Sequence, residues 1–395
     1  MTSNALTVPD PAFMADPDIE MFRDSVARFF EQHAPPQRIE KWRADGIVDR
    51  EFWAEAGQAG LLGVSIPEEY GGAGGDFRHD VVLVEMVARK EISGFAVQLH
   101  NVIVSPYVLL HGTEDQRARW LPRLCSGDLI AAVAMTEPGA GSDLKGILTT
   151  ARKDGAGYRI NGQKTFISSG QLANFIIVAA KTSSERGDEV SLFVLETDGA
   201  EGFRRGKMLD KVGLDAHDTS ELFFDDVWVP EENLLGGIEG KGFQQLMAEL
   251  PRERLVIAII AMAMIERALT ATIDYVVDRK LFGQRLADFQ NTQFKLAECR
   301  TEATIAKVFL NHCLEAAMNR TLDTATASMA KYWITDLQSK VIDECVQLHG
   351  SYGYVNEYPI ARMYRDARIS RIYGGANEIM KLVIARSFLP RPEKV

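Results

Sequence analysis

Tyr158-Arg159-Ile160-Asn161-Gly162-Gln163-Lys164-Thr165-Phe166-Ile167, followed by Phe175-Ile176-Ile177-Val178-Ala179-Ala180 and Val190-Ser191-Leu192-Phe193-Val194-Leu195, sets the organisation of this 395-residue chain. Asn161-Gly162 stands between two strand-like runs. Asn-Gly tolerates the positive φ of a tight turn, so it predicts a hairpin there. The two apolar runs that follow read as buried strands. Leu129 to Val133, Glu221-Leu222-Phe223-Phe224 and Val227-Trp228-Val229 predict further strands before Pro230. Short strands with turns between them predict a small antiparallel barrel or sandwich over residues 129–236.

On both sides of this segment the periodicity is helical. In residues 1–128, Phe22, Val26, Phe29 and Phe30 fall on one helix face, and Val82, Val84, Met86 and Val87 suggest another buried helix. The glycine-dense stretch from Pro67 to Gly75 is a loop. It lacks the flanking strand and helix of a dinucleotide fingerprint. In residues 237–395, the stretches 241–279, 290–318, 323–348 and 361–388 predict a four-helix bundle, with Asp323 capping the third helix and Gly350 stopping it. The expected fold is mostly α with a central β domain, divided as 1–128, 129–236 and 237–395.

The net charge of −11 argues against a nucleic-acid backbone as the main partner. Four cysteines without paired spacing read as free thiols of a reducing compartment. The seven histidines form no metal-ligand pattern, so no metal is expected. No continuous apolar run reaches the ~18 residues of a membrane span, so no stable membrane insertion is expected. The acidic start, with Asp10, Asp16, Asp18 and Glu20 ahead of Arg23, is unlike a targeting peptide, and a cytoplasmic location is the expectation.

Three stretches carry candidate chemistry. Glu253 and Arg254 open an unbroken apolar helical run, Leu255-Val256-Ile257-Ala258-Ile259-Ile260. Desolvation there would raise a carboxylate towards the working range of a base. Read by itself, Glu253 is equally a solvated residue favoured by a helix N-terminus. Met135-Thr136-Glu137-Pro138-Gly139-Ala140-Gly141-Ser142-Asp143 exposes backbone N–H groups and hydroxyls suited to a phosphate or a ring edge, or is a plain glycine turn. In Ile372-Tyr373-Gly374-Gly375-Ala376-Asn377-Glu378 the paired glycines let backbone approach something flat or bulky.

Together these motifs resemble the acyl-CoA dehydrogenase family. The 135–143 loop is similar to its first signature, and Gln347-Leu348-His349-Gly350-Ser351-Tyr352-Gly353-Tyr354, with Glu357, Arg362 and Asp366, to its second. Phe166-Ile167-Ser168, Arg279-Lys280-Leu281-Phe282-Gly283 and the Tyr373-Gly374-Gly375 stretch extend the resemblance over essentially the whole chain. It implies an FAD enzyme that oxidises an acyl-CoA thioester to a trans-2-enoyl-CoA and passes electrons to an electron-transfer flavoprotein. In such enzymes a carboxylate takes the α-proton while the β-hydrogen leaves as hydride.

By the same resemblance, Met135, Thr136, Gly141 and Ser142 would meet the flavin and its diphosphate. Phe166, Ile167 and Ser168 would lie at the ring. Arg279, Phe282 and Gln290, with Gln347, Gly350 and Ser351, would bind FAD across a subunit boundary of a homotetramer. Ala376, Asn377 and Glu378 would complete the cofactor site. Ala376 departs from a frequent threonine, and Phe166 from a tryptophan found in some relatives. Ser142, Arg254, Gly374 and Gly375 would contact the substrate, with the Gly374 N–H on the thioester carbonyl.

The base is the informative departure. Many members carry glutamate where this chain has Gly374, whereas a subset resembling long-chain and isovaleryl-CoA dehydrogenases places the base on the helix opening the bundle. Glu253 matches that position, with Glu249 its rival. The stretch from Glu249 through Ala261 most resembles the long-chain enzymes, so medium or long acyl chains are the expectation. A branched or bulky acyl-CoA, an oxidase using dioxygen, and a non-catalytic binding module are the alternatives.

Overall fold

The computed structural model describes residues 5–182 and 189–390. Six helices come first: α1 Pro17–His33, α2 Pro36–Asp45, α3 Arg50–Gln58, α4 Phe77–Arg89, α5 Ser105–His111 and α6 Glu114–Ser126. Their starts are written locally. Asp16 accepts from the Asp18 N–H ahead of Pro17, and reciprocal capping boxes open α4 (Asp76/His79) and α6 (Thr113/Gln116). Ile19, Val26, Phe29 and Phe30 bury the inner face of α1, and Val81 to Val87 are buried along α4. A turn of π-helix, Gln98–Val104, runs directly into α5.

Seven strands follow: β1 Ala131–Ala134, β2 Thr150–Asp154, β3 Gly157–Ser168, β4 Phe175–Thr182, β5 Glu189–Glu196, β6 Phe203–Met208 and β7 Thr219–Pro230. They form one curled sheet in the order β1-β4-β2-β3-β7-β6, with β5 on the other edge of β4. The expected purely antiparallel pattern is corrected here, because β1 and β2 both pair parallel with β4. They share one edge of that strand, β1 against residues 175–178 and β2 against 181–182.

The Asn161-Gly162 hairpin is a second correction. Those residues lie inside the continuous strand β3, and the chain reverses instead between Asp154 and Gly157. Asn161 and Asp226 exchange two hydrogen bonds at a register shift between β3 and β7. A Cβ on Gly162 would stand 2.4 Å from Thr149 Oγ1, so glycine is required there for close approach rather than for a turn.

The last third begins with α7, Gly242–Asp278, followed by a two-residue hairpin (β8 Lys280–Leu281, β9 Gln284–Arg285), α8 Gln290–Met318 and α9 Thr324–His349. Asp323 caps α9 through the Ala325 and Thr326 N–H groups, and Gly350 ends it at φ 59°. The expected helix over 361–388 is corrected to two, α10 Pro359–Ala367 and α11 Asn377–Phe388, joined by a 3-10 turn and the Gly374-Gly375 link. Both glycines have positive φ, 61° and 93°, which a right-handed helix cannot contain. α7 is long and apolar enough to cross a membrane by composition, but 67% of its most apolar window is buried within the fold. That burial, against α9, α4 and α8, explains its hydropathy as a core helix.

Candidate active site

Glu253 sits on α7 with 6% of its surface exposed. Its Oε1 accepts a 2.9 Å hydrogen bond from the Tyr107 hydroxyl of α5, 146 residues away in the chain. Burial pushes the carboxyl up to about 7. Glu249, one turn earlier, adds to the rise, while Tyr107 and Arg254 oppose it. Glu249 is nearly as buried, but it pairs with His111 at 3.2 Å. Glu253 is thus the carboxylate bordering the apolar run. Its face of α7 continues through Ile257, Ile260 and Met264 at helical spacing. Ile260 and Met264 line a cavity together with Val84, Val87, Met363 and Tyr373.

The Gly374-Gly375 link closes over the same face. A Cβ on Gly374 would stand 2.2 Å from Ile257 Cδ1, so the link lies one turn beyond Glu253. Lys331 of α9, fully buried, donates to the Gly375 carbonyl (2.7 Å) and to Asn377 Oδ1 (2.9 Å). Burial, then the nearby Arg254, lowers the Lys331 ammonium to about 8. The Asn377 amide donates to Tyr332 O, Thr335 Oγ1 and Asp336 Oδ1, so its side chain is engaged inside the fold. Among the described residues no backbone hydrogen bond uses the Gly374 N–H. Arg254 is buried against Ser328 (3.0 Å), and its Nε has no partner among the described residues. Ala376 precedes α11, and Glu378 is exposed in its first turn.

The Met135–Asp143 loop is fixed from beneath. Glu137 is buried with Lys164 at 2.8 Å and accepts from the Leu148 and Thr149 N–H groups. Burial raises that carboxyl, but Lys164 and the two loop residues outweigh it and hold it below the ordinary range. Lys164 also donates to the Met135 carbonyl, and the Thr165 N–H to the Thr136 carbonyl, so the loop is stitched to β3. Gly141 and Ser142 are left exposed, with Met135 and Thr136 half-buried.

Two residues further along β3, Phe166 has φ 57° and is 67% exposed, while Ile167 is buried and Ser168 half-buried. A left-handed phenylalanine with its ring outward is a strained arrangement of the kind found where a surface is built for a ligand. A flat heteroaromatic ring with polar edges fits an exposed aromatic beside hydroxyls and free N–H groups.

The remaining sequence candidates lie elsewhere. Arg279 at the end of α7 stacks its guanidinium over Tyr352, 5.4 Å from the ring centre, which joins the Arg279–Phe282–Gln290 group to Gln347, Gly350 and Ser351. All six are exposed, Phe282 at 95%. His349 is stacked on Tyr275 and buried. Glu253 and Arg279 are separated by ~39 Å of helix. The site therefore has two parts, one around Glu253 and one at the far end of the bundle.

Sequence reasoning missed Tyr107, His111, Ile257 and the clamp role of Lys331. Lys331 carries a signal, a single charge inside the apolar stretch Ala330 to Trp333. Tyr107 carries none, because its partner is so distant in the chain.

Models of the acyl-CoA dehydrogenase N-terminal, middle and C-terminal domains match residues 16–128, 132–227 and 240–389. The chain is 46% identical over 373 residues to the mitochondrial long-chain specific acyl-CoA dehydrogenase of Sus scrofa, covering 94% of this chain and 86% of that protein. Its fold superposes on an acyl-CoA dehydrogenase from Geobacillus kaustophilus with TM-score 0.92 and 47% identity, covering 94% and 98% of the two chains. A glutaryl-CoA dehydrogenase from Mycobacterium smegmatis in complex with FADH2 matches at TM-score 0.90 and 27% identity, over 98% of each chain.

Proposed function

The chain belongs to the acyl-CoA dehydrogenase family, and from that premise we propose that it dehydrogenates medium- and long-chain acyl-CoA thioesters between Cα and Cβ, with Glu253 as the base. Family members are FAD-dependent. In this chain Met135, Thr136, Gly141, Ser142 and the Phe166–Ser168 segment would hold the flavin. The exposed left-handed Phe166 supports that reading. Bound FAD supplies the acceptor for the β-hydrogen, which leaves as hydride.

The chain's own residues do the rest. Glu253 takes the α-proton; its free oxygen, Oε2, is the one not engaged by Tyr107. The Gly374 N–H is available to the thioester carbonyl, where it would stabilise charge as the α-carbon loses its proton. Lys331 holds the Gly375 carbonyl and thereby the orientation of this link. The apolar wall formed by Ile257, Ile260 and Met264 excludes water and receives the acyl chain. From Glu253 to Met264 the helix advances ~16 Å, the direction in which the acyl chain would run.

The second group, Arg279, Phe282, Gln290, Gln347, Gly350 and Ser351, is too far from Glu253 to serve the same pocket within one protomer. That separation supports an FAD site completed by a second copy in a homotetramer. An electron-transfer flavoprotein is the proposed acceptor. Four free, buried thiols support a reducing, cytoplasmic setting.

The observation that carries the proposal is Glu253, buried and raised to about 7 beside the Gly374 turn. Anaerobic bleaching of the flavin against a graded series of straight and branched acyl-CoAs tests it. The expected result is strongest bleaching by unbranched medium and long chains, with reoxidation by electron-transfer flavoprotein. Bleaching only by branched thioesters, or peroxide formed at the rate of turnover, would overturn the substrate or the acceptor assignment.

A further inference from the structure

We infer that Tyr107 is the positioning residue of the base: α5 holds the two α7 carboxylates by two rungs, Tyr107 on Glu253 and His111 on Glu249. This rests on Glu253 being the base. The rungs are in antiparallel register. Tyr107 and His111 are four residues apart on one face of α5, and Glu253 and Glu249 four apart on the facing surface of α7.

Tyr107 itself is held firmly. Its helix emerges from the π-turn, a feature that recurs at functional sites. His100 in that turn is wedged between the Leu124 carbonyl, 3.0 Å from Nε2, and the Ala131 N–H, which donates to Nδ1. Ser105 closes the turn by donating to the His100 carbonyl at 2.7 Å. Tyr107 is fully buried, and burial, then the Glu253 charge, keeps its phenol protonated well beyond the ordinary range. The hydroxyl is therefore a permanent donor with one hydrogen to give.

Two consequences follow for Glu253. Its side chain is held by the engaged Oε1, which leaves Oε2 as the oxygen without a hydrogen bond among the described residues. Its carboxylate form is also stabilised, which counteracts burial and limits the rise to about 7. The other titratable or charged groups near it are Glu249 and Arg254 on α7, His111 on α5, and Lys331 on α9 beyond Arg254. Arg252 turns away to Asp80 of α4 at 3.2 Å. Among the described residues, Tyr107 alone hydrogen-bonds the Glu253 side chain.

The test compares Tyr107→Phe, Glu253→Gln and the double variant as FAD-loaded enzymes, using the acyl-CoA that bleaches best. Tyr107→Phe should retain FAD and acyl-CoA binding and leave KM within about threefold, while kcat falls about 10- to 100-fold through misplacement of the base. The acidic limb of kcat/KM should move to higher pH by roughly one to two units, the value of a hydrogen bond to a charged group. Added to Glu253→Gln, it should change the residual rate little, because no base remains to be positioned. Should Tyr107→Phe fold poorly, 3-fluorotyrosine at position 107 keeps the shape with a stronger donor and should shift the limb to lower pH.

An unmoved limb with unchanged kcat in Tyr107→Phe overturns the positioning role, and so does a rate loss of equal size in the Glu253→Gln background. Near-normal turnover in Glu253→Gln alone would instead remove the base assignment itself.

Discussion

Gly374 lies directly over Ile257, so close that a Cβ on the glycine would stand 2.2 Å from Ile257 Cδ1. Ile257 follows Glu253 by one helical turn. The Gly-Gly link and the base carboxylate therefore face a common space, and the turn has no room for a side chain pointing at α7. A carboxylate delivered from α7 and a bare turn at Gly374 are two sides of one packing solution.

Replacing Glu253 by Gln should lower turnover by about 10²–10⁴-fold while FAD and acyl-CoA binding persist, the scale of a positioned base. Pre-steady-state flavin reduction reads the chemical step separately from binding. Near-normal reduction would move proton abstraction to another group, with Glu249 first in line.

Glu253 must be ionised to accept a proton, and burial has raised it to about 7. The rate constant kcat/KM should therefore be at its plateau above that pH and fall about tenfold per unit below it. A profile flat from pH 5 to 9 would contradict the burial of the base.

Gly374→Ala meets two obstacles, the contact with Ile257 and a φ of 61°. The left-handed backbone alone disfavours a Cβ by about 1–2 kcal/mol. Both melting temperature and turnover should fall, and Ile257→Ala should restore part of the loss by removing the contact but not the strain. Gly374→Glu should not rescue Glu253→Gln for the same reasons. Full recovery in the Gly374→Ala, Ile257→Ala pair would show that backbone conformation contributes nothing.

Lys164→Met should loosen the Met135–Asp143 loop. It leaves the Glu137 carboxylate buried beside only two N–H donors, a loss of about 3–5 kcal/mol for breaking a buried pair from one side. Adding Glu137→Gln should recover some of that stability. FAD retention on gel filtration should follow the melting temperature; retention unchanged in a destabilised variant would separate the loop from the cofactor.

Much of this was legible along the chain. Helical periodicity placed Phe22 to Phe30 and Val82 to Val87 on buried faces, because α-helix burial repeats over a few neighbouring residues. Asp323 and Gly350 marked the ends of α9, because caps satisfy groups only a few residues away. Asn161-Gly162 misled for an instructive reason. Glycine is required there by the approach of Thr149, just ahead of β2, whose placement no local pattern encodes. The helix expected over 361–388 failed at Gly374-Gly375, where the fold needs the backbone close to α7.

Local residue types therefore determined most of the helices and strands, their caps and a carboxylate heading an apolar run, which the structure places well inside α7 rather than at its start. Packing across long stretches of chain determined what that carboxylate is. Glu253 acquires its raised pKa from burial and its hydrogen bond from Tyr107, and Gly374 meets Ile257 only when the end of the chain folds back onto α7. Desolvation and hydrogen-bond geometry depend on neighbours in space, so the tertiary structure alone turns a helix glutamate into a poised base.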